Sequence, residues 1–163
     1  MMKKPLQDAV NEQINQEFYS AYLYLAMAAY CESINLAGVA HWLKVQFKEE
    51  QGHAMKLFAH VVDRGGQVVL KAIARPPEKF GTVTKLFEQV LAHEQKVTGL
   101  IHKLHDLAAK EKDPALAAEL LWFIKEQVEE EKTASEIVAK LRLAGEHGAS
   151  LLFLDKALGE RQG

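Results

Sequence analysis

The stretch that decides the fold is GGQVVLKAIARPPEKF, residues 65 to 80. It opens with two glycines, which readily end a helix, and it contains Pro76 and Pro77, which interrupt one. Connections in helical proteins are usually shorter. Fully extended, residues 67 to 80 span roughly 45 Å at about 3.3 Å per residue, and a helix of about 27 residues is roughly 40 Å long. The segment can therefore travel the length of one helix, so the helices on either side of it can run parallel.

The other prolines and glycines mark the ends of the helices. Pro5 can open a first helix, and Asp113-Pro114 is an N-cap followed by a proline at the first helical position. An apolar stretch beyond Gly145 and Gly148 indicates a short final helix. The predicted helices are A from Pro5 to about Ser33, B from about Gly38 to Arg64, C from near Thr82 to near Lys110, D from Pro114 to about Leu143, and E around residues 149–159, including Leu151 to Leu154.

These boundaries predict an all-α protein with a single domain over residues 1–163. Two helical hairpins, joined by one long B–C crossover, form a four-helix bundle over about residues 5–143, and the short fifth helix follows at the C-terminus. The length of the linker favours the crossover. The positions of the polar residues along the bundle axis, described below, do not distinguish the crossover from an antiparallel B–C pairing.

Composition and charge exclude several classes of protein. Apolar residues make up 48% of the chain and charged residues 26%, as in globular proteins. Twenty basic against 22 acidic residues leave a net charge of -2, too balanced for an electrostatic nucleic-acid binder. The chain lacks an apolar run long enough for a membrane span. The single cysteine, Cys31, cannot form an internal disulfide, which favours a reducing compartment and hence the cytoplasm.

Polar residues interrupt the apolar stripe of each of the four long helices near its middle. The stripes themselves have the spacing of three and four residues typical of helices packed in bundles. The interrupting residues are Glu17 on helix A, Glu50 and His53 on helix B, Glu94 on helix C, and Gln127 and Glu130 on helix D.

These six residues are expected to lie in one layer. Two residues of an antiparallel hairpin face each other when the point midway between them in the sequence falls at the turn. The pair Glu17 and Glu50 meets this condition for the A–B turn, and Glu94 and Glu130 meet it for the C–D turn. Four buried carboxylates without a basic partner are costly, whereas two divalent cations would balance their charge. The oxygen-rich set with one imidazole suits iron, manganese or zinc, and argues against copper(I).

Each residue also has an ordinary structural interpretation. A single Glu-x-x-His on a helix is a weak metal motif, and a lone glutamate on a core stripe often reaches the surface instead. The run Glu129-Glu130-Glu131 resembles a solvated face. The agreement of four helices on one layer favours the metal site over these interpretations. A purely structural bundle would leave four core glutamates uncompensated.

The set Glu17, Glu50-x-x-His53, Glu94 and Gln127-x-x-Glu130 resembles the di-iron ferroxidase centre of bacterial non-haem ferritins, and the resemblance covers essentially the whole chain. It implies a ferritin-like fold in which Glu17 and His53 hold the first iron and Glu50 bridges to the second. Glu94 and Glu130 would hold the second iron, with Gln127 near the oxygen-binding side. Tyr24 matches the tyrosine beside the centre in this family, and is equally compatible with a core tyrosine bonded to a carboxylate.

Two features qualify the resemblance. Many di-iron bundles carry Glu-x-x-His on two helices, whereas helix D carries Gln127-x-x-Glu130, so we expect the two metal sites to be inequivalent and the second to be weaker. Bacterioferritins bind haem through a methionine at the position of Gly52, and Met55 lies on another face, so no haem is expected. Three further acids share a neighbouring face and resemble the third, inner iron site of the family, with plain solvated charge as the alternative: Glu49, Glu126 and Glu129.

The resemblance implies storage and detoxification of iron. Iron(II) would be oxidised by dioxygen or hydrogen peroxide, and ferric oxyhydroxide would be deposited inside a homo-oligomeric cage of 24 subunits. The exposed-looking Leu151 to Leu154 supports assembly indirectly, because a completed bundle leaves it no surface to bury against. A rubrerythrin-like peroxidase would require a cysteine-rich rubredoxin module, which one cysteine excludes. A mini-ferritin that protects DNA would lack this buried set.

Overall fold

Capping chemistry sets the helix boundaries. Asp113 accepts a hydrogen bond from the Leu116 backbone N–H at 3.0 Å, and Thr82 accepts one from the Lys85 backbone N–H at 3.2 Å, each satisfying a donor that the first helical turn leaves free. Gly65 follows the second helix with a positive φ of 66°, the left-handed conformation that glycine adopts most easily. The N-cap residues, the proline and the glycine therefore mark helix ends close to those predicted from the sequence.

The structure, a computed structural model, describes residues 1–145 and 147–163. Within this part of the chain there are five α-helices and no strand, which confirms the predicted all-α fold with a four-helix bundle and a short C-terminal helix. None of the described helices is long and apolar enough to cross a membrane. The helices are α1 (Lys4–Ser33), α2 (Ala37–Asp63), α3 (Val83–Lys110), α4 (Pro114–Ala144) and α5 (Gly148–Gly159).

The long linker between α2 and α3 runs along α1, as its hydrogen bonds show. Asn11 exchanges hydrogen bonds with the backbone of Gln67 and Val69, at 3.0 and 3.1 Å. Near the other end of α1, the Tyr30 hydroxyl donates to the Gly81 carbonyl at 2.7 Å. The linker thus advances from the start of α1 to its end, which is where α2 begins. Helix α3 therefore starts beside the start of α2 and runs parallel to it, which confirms the crossover.

The apolar core consists of two clusters, one toward each end of the bundle. One cluster contains Tyr24, Leu43, Phe87 and other side chains from the late part of α1 and α4 and the early part of α2 and α3. The other contains the complementary parts of the same helices, including Leu6 and Phe123. The polar residues that interrupt the stripes lie at the sequence positions between these clusters, so apolar packing fixes the helices on both sides of the polar layer.

Helix α5 lies against the beginning of α2. The Asp155 carboxylate accepts a hydrogen bond from the Val39 backbone N–H at 2.8 Å. A Cβ atom at Gly38 would lie only 1.8 Å from the Asp155 carbonyl oxygen, so this close approach requires glycine. No residue of α5 is fully buried, and Leu152 and Phe153 are 63% and 74% exposed. The fifth helix is thus anchored on one face and keeps an apolar face outside the bundle.

Candidate metal centre

All six residues that interrupt the apolar stripes are buried in the bundle. Their exposed fractions range from 1% for Glu17 to 8% for Glu130, although most are ionisable. They come from all four long helices, at positions between the two apolar clusters. Helical periodicity alone would place apolar side chains there, so their burial points to a partner with compensating charge.

The α1–α2 half of the centre brings three candidate ligands together. Glu17, Glu50 and His53 each offer an atom, and these atoms all lie within 4.8 Å of one another. The Nδ1 atom of His53 lies 3.2 Å from Glu50 Oε2. Gln13 donates its amide N–H to Glu17 Oε1 at 2.7 Å, and the other oxygen, Glu17 Oε2, is buried without a hydrogen-bond partner among the described residues.

The α3–α4 half differs because both oxygens of Glu94 already accept hydrogen bonds. The Tyr24 hydroxyl donates to Glu94 Oε1. The Gln127 amide donates to Glu94 Oε2 at 3.1 Å and to the Glu94 carbonyl at 3.2 Å. Glu130 Oε2 accepts from the amide of Gln46 at 2.7 Å. Gln127 and Tyr24 are thus placed as partners of a predicted ligand, Glu94.

Burial raises the pKa of all four carboxyl groups, and repulsion from other carboxylates of the centre adds to the shift at Glu17, Glu50 and Glu130. Desolvation, followed by repulsion from Glu50, raises the pKa of Glu17 to about 8, and desolvation with repulsion from Glu94 raises that of Glu130 to about 7. The pKa values of Glu50 and Glu94 are also raised, chiefly by desolvation. The metal-free centre therefore retains protons near neutral pH.

The donor set fits divalent cations. Among the described residues no lysine or arginine forms an ion pair with Glu17, Glu50, Glu94 or Glu130, and the one ion-pair contact of these four is that between Glu50 and His53. A cation beside Glu17 Oε2 would satisfy this orphaned buried oxygen and lower the cost of ionising its neighbours. Carboxylates with one imidazole can hold iron, manganese or zinc.

The three acids predicted for a third site differ in their burial and in their contacts. Glu126 is half-buried and offers an oxygen within 4.8 Å of ligand atoms on His53 and Glu130. Glu49 is exposed and accepts a hydrogen bond from the Arg161 guanidinium at 2.6 Å. Glu129 is exposed. The structure thus brings Glu126 to the edge of the buried centre and gives Glu49 a basic partner.

Sequence reasoning missed several residues that touch the candidate ligands, among them Gln13, Gln46 and Arg161. Gln13 and Gln46 each lie four residues before a stripe glutamate, Glu17 and Glu50, so both start on the buried face, and this spacing was an available signal. Arg161 follows the fifth helix, stacks over the Trp42 ring with 4.4 Å between its guanidinium carbon and the ring centroid, and gives no comparable signal in the sequence.

The fold and this layer define a class of protein, the helical bundles that build metal sites from carboxylate and histidine side chains on facing helices. Comparison with protein families identifies which of these bundles it is. The family model described as a Ferritin-like domain matches residues 7–144. The chain therefore belongs to the ferritin family, and this confirms the resemblance predicted from the sequence.

Individual relatives extend over nearly the whole chain. A bacterial non-heme ferritin of Bacteroides fragilis is 44% identical over 161 residues, covering 99% of this chain and 100% of the relative. One of Staphylococcus saprophyticus is 40% identical, covering 99% and 96%. The solved structure of an open pore ferritin from the hyperthermophilic archaeon Archaeoglobus fulgidus matches with a TM-score of 0.98 and 49% identity, covering 99% of this chain and 100% of that one. Family and relatives together support a role in iron storage.

Proposed function

We propose that the chain is an iron-storage protein with ferroxidase activity. It oxidises iron(II) to iron(III) with dioxygen or hydrogen peroxide and deposits ferric oxyhydroxide inside a homo-oligomeric cage. Iron is both the substrate and the stored material, and haem takes no part. The whole chain, residues 1–163, acts as one ferritin-like unit in the cytoplasm, and neither nucleic acid nor a membrane is a partner.

The observation that carries this proposal is the buried layer of four glutamates and one histidine, with Glu17 Oε2 left without a hydrogen-bond partner among the described residues. A stable protein core gains nothing from four such carboxylates, since each costs several kcal/mol to desolvate when ionised. Two divalent cations supply the compensating charge. Paired metals held by carboxylates can act together on an oxygen-containing substrate.

The side chains of the centre bind the cations and manage protons. Glu17, Glu50 and His53 would hold one iron, and Glu50, Glu94 and Glu130 the other. The raised pKa of Glu17, about 8, means that protons leave the carboxyl groups when iron(II) binds near neutral pH. Two iron(II) ions give up two electrons, which reduce dioxygen with two protons to hydrogen peroxide, or hydrogen peroxide with two protons to water. Hydrolysis of the iron(III) products then yields ferric oxyhydroxide and releases protons.

The inner acids Glu49, Glu126 and Glu129 would take part in moving iron between the centre and the mineral. Glu126 is the best placed of them, because its oxygen lies within 4.8 Å of ligand atoms on His53 and Glu130. Assembly into a cage of 24 copies would enclose the mineral. The exposed apolar residues Leu152 and Phe153 on α5 support contact between copies.

The proposed activity is tested by adding iron(II) to the metal-free protein in air. We expect a fast ultraviolet absorbance rise that saturates at about two iron ions per subunit, as two-metal sites imply. Glu50→Ala should remove this phase, because Glu50 is common to both iron positions. Glu136→Ala, at an exposed glutamate of α4, is the control and should keep it. Unchanged fast kinetics in Glu50→Ala would exclude the assigned centre.

Assembly is tested separately by native mass spectrometry or analytical ultracentrifugation. A mass near that of 24 subunits supports storage in a cage. A monomer or dimer at working concentration would contradict the cage and favour a smaller di-iron protein. This measurement does not depend on the activity of the centre.

A further inference from the structure

Buried glutamines contact three of the four carboxylates of the centre. The amide groups of Gln13, Gln46 and Gln127 donate to Glu17, Glu130 and Glu94 at 2.7, 2.7 and 3.1 Å. All three glutamines are at most 4% exposed. Glutamine rarely occupies such positions, because burying an amide is unfavourable unless its hydrogen bonds are made. Three of them at one layer indicate a common role.

Gln46 is the least expected of the three glutamines. It lies on α2, but its partner Glu130 lies on α4, so this hydrogen bond joins two helices across the centre. Gln13, by contrast, contacts Glu17 one turn further along the same helix. This hydrogen bond of 2.7 Å restricts the orientation of the Glu130 carboxylate relative to α2.

The orientation of the bond decides which oxygen of Glu130 is free. Gln46 Nε2 donates to Oε2, which leaves the Oε1 lone pairs of Glu130 for another ligand. The carbonyl oxygen of Gln46 is itself buried and has no hydrogen-bond partner among the described residues. It can accept a hydrogen bond from a water molecule held beside Glu130.

We infer that Gln46 is a positioning residue for the second cation, acting through Glu130, and that Gln13 has the matching role for the first cation through Glu17. The inference rests on the proposed two-cation centre. Each amide would hold one oxygen of a carboxylate that binds a single cation, Glu17 or Glu130, and would direct the other oxygen toward that cation. Partners of this kind are typically worth about 10- to 100-fold in metal affinity.

The test is a titration of the metal-free protein with Co²⁺, whose visible absorption reports its ligands without any turnover. Gln46→Met keeps the length of the side chain but removes its N–H donors. We expect wild type to bind two Co²⁺ per subunit, and Gln46→Met to bind the second at least tenfold more weakly, with altered absorption, in line with the loss of a ligand-orienting partner. Gln46 is also near enough to Glu50 to lower its pKa, but its hydrogen bond goes to Glu130 and Glu50 keeps its contact with His53. The first Co²⁺ should therefore bind within about threefold of wild type.

Gln13→Met is the matched control, because it should weaken the first Co²⁺ and spare the second. Gln46→Asn retains the amide but is one methylene too short, so it should reproduce the selective loss and replaces Gln46→Met if that variant does not fold. Circular dichroism establishes folding in each case. Two Co²⁺ bound with unchanged affinity and absorption in the Gln46 variants, or equal weakening of both, would overturn the inference. Failure of the wild type to bind two Co²⁺ would instead overturn the two-cation centre on which it rests.

Discussion

The two halves of the buried centre are built from similar residues but differ in the hydrogen bonds that their carboxylate oxygens make. In the α1–α2 half, Glu17, Glu50 and His53 converge within 4.8 Å and one oxygen of Glu17 is without a partner. In the α3–α4 half, both oxygens of Glu94 already accept hydrogen bonds, from Tyr24 and Gln127. The first half therefore presents a free carboxylate oxygen and an imidazole to a cation. In the second half Glu94 must exchange its hydrogen bonds for a cation, while Glu130 keeps Oε1 available.

This difference follows from the different sequence motifs that the two hairpins carry. Helix α2 carries Glu50-x-x-His53, and α4 carries Gln127-x-x-Glu130 at the corresponding level. An imidazole nitrogen is a strong ligand for divalent transition metals, while a glutamine amide here serves as a hydrogen-bond donor. We therefore expect the first cation to bind tightly and the second to exchange readily, as suits a site through which iron passes.

The largest predicted effect comes from breaking the first half. His53→Ala removes the one imidazole ligand and should slow the fast oxidation phase at least about 100-fold, since even partners that only orient ligands are worth about 10- to 100-fold. Gln127→Leu removes the hydrogen bonds that orient Glu94 in the second half and should slow the phase only about tenfold on the same scale. Stopped-flow absorbance after iron(II) addition measures both rates. Equal losses in the two variants would contradict the inequivalence of the halves.

A further effect is expected on the stability of the metal-free protein. Glu17 has a pKa of about 8 in the folded protein against an ordinary value of 4.5, so the folded state binds more protons than the unfolded state between these values. Stability should then fall as pH rises from about 5 to about 8, by an amount on the order of 5 kcal/mol for Glu17 and 3 kcal/mol for Glu130. Denaturant unfolding of metal-free protein across this range measures it.

The two halves can be separated in this pH profile. Glu17→Gln should remove the part of the stability loss that extends up to about pH 8, because the folded-state pKa of Glu17 is about 8. Glu130→Gln should remove only a part that ends near pH 7, because the folded-state pKa of Glu130 is about 7. A divalent cation should abolish the dependence by keeping the carboxylates ionised. Stability that rises with pH over this range in the metal-free protein would show that the carboxylates are compensated in some other way.

The sequence predicted the layer because helical periodicity and hairpin geometry are local rules. Glu17 and Glu50 face each other since their distances from one turn are equal, and no knowledge of side-chain contacts is needed. The role of Gln46 could not be predicted in this way, because its partner Glu130 lies 84 residues away and a glutamine four residues before a glutamate is common on solvated faces. Its contribution depends on which oxygen it holds, and only the three-dimensional arrangement shows this.

The boundary of the centre was the least predictable part. Glu49, Glu126 and Glu129 each precede a residue of the predicted centre by one position, on α2 or α4, but their surroundings differ. Arg161, from the chain after α5, neutralises Glu49, while Glu126 reaches the atoms of His53 and Glu130. Periodicity describes one helix at a time, so it could not reveal a contact made by a segment that folds back from the C-terminus.

The smallest effect is therefore expected from Arg161→Ala. The guanidinium also donates to the Trp42 carbonyl at 3.2 Å and stacks on its ring, so the variant frees Glu49 and loosens the end of the chain. An ion pair at this exposure is worth about 1 kcal/mol or less, so oxidation in the buried centre should stay within about twofold. Binding of a third divalent cation, measured by calorimetry, should instead strengthen, because Glu49 becomes available to it. Arg142→Ala, which removes an exposed pair with Glu88, is the control. A third cation bound equally well by wild type and Arg161→Ala would show that Glu49 takes no part in that site.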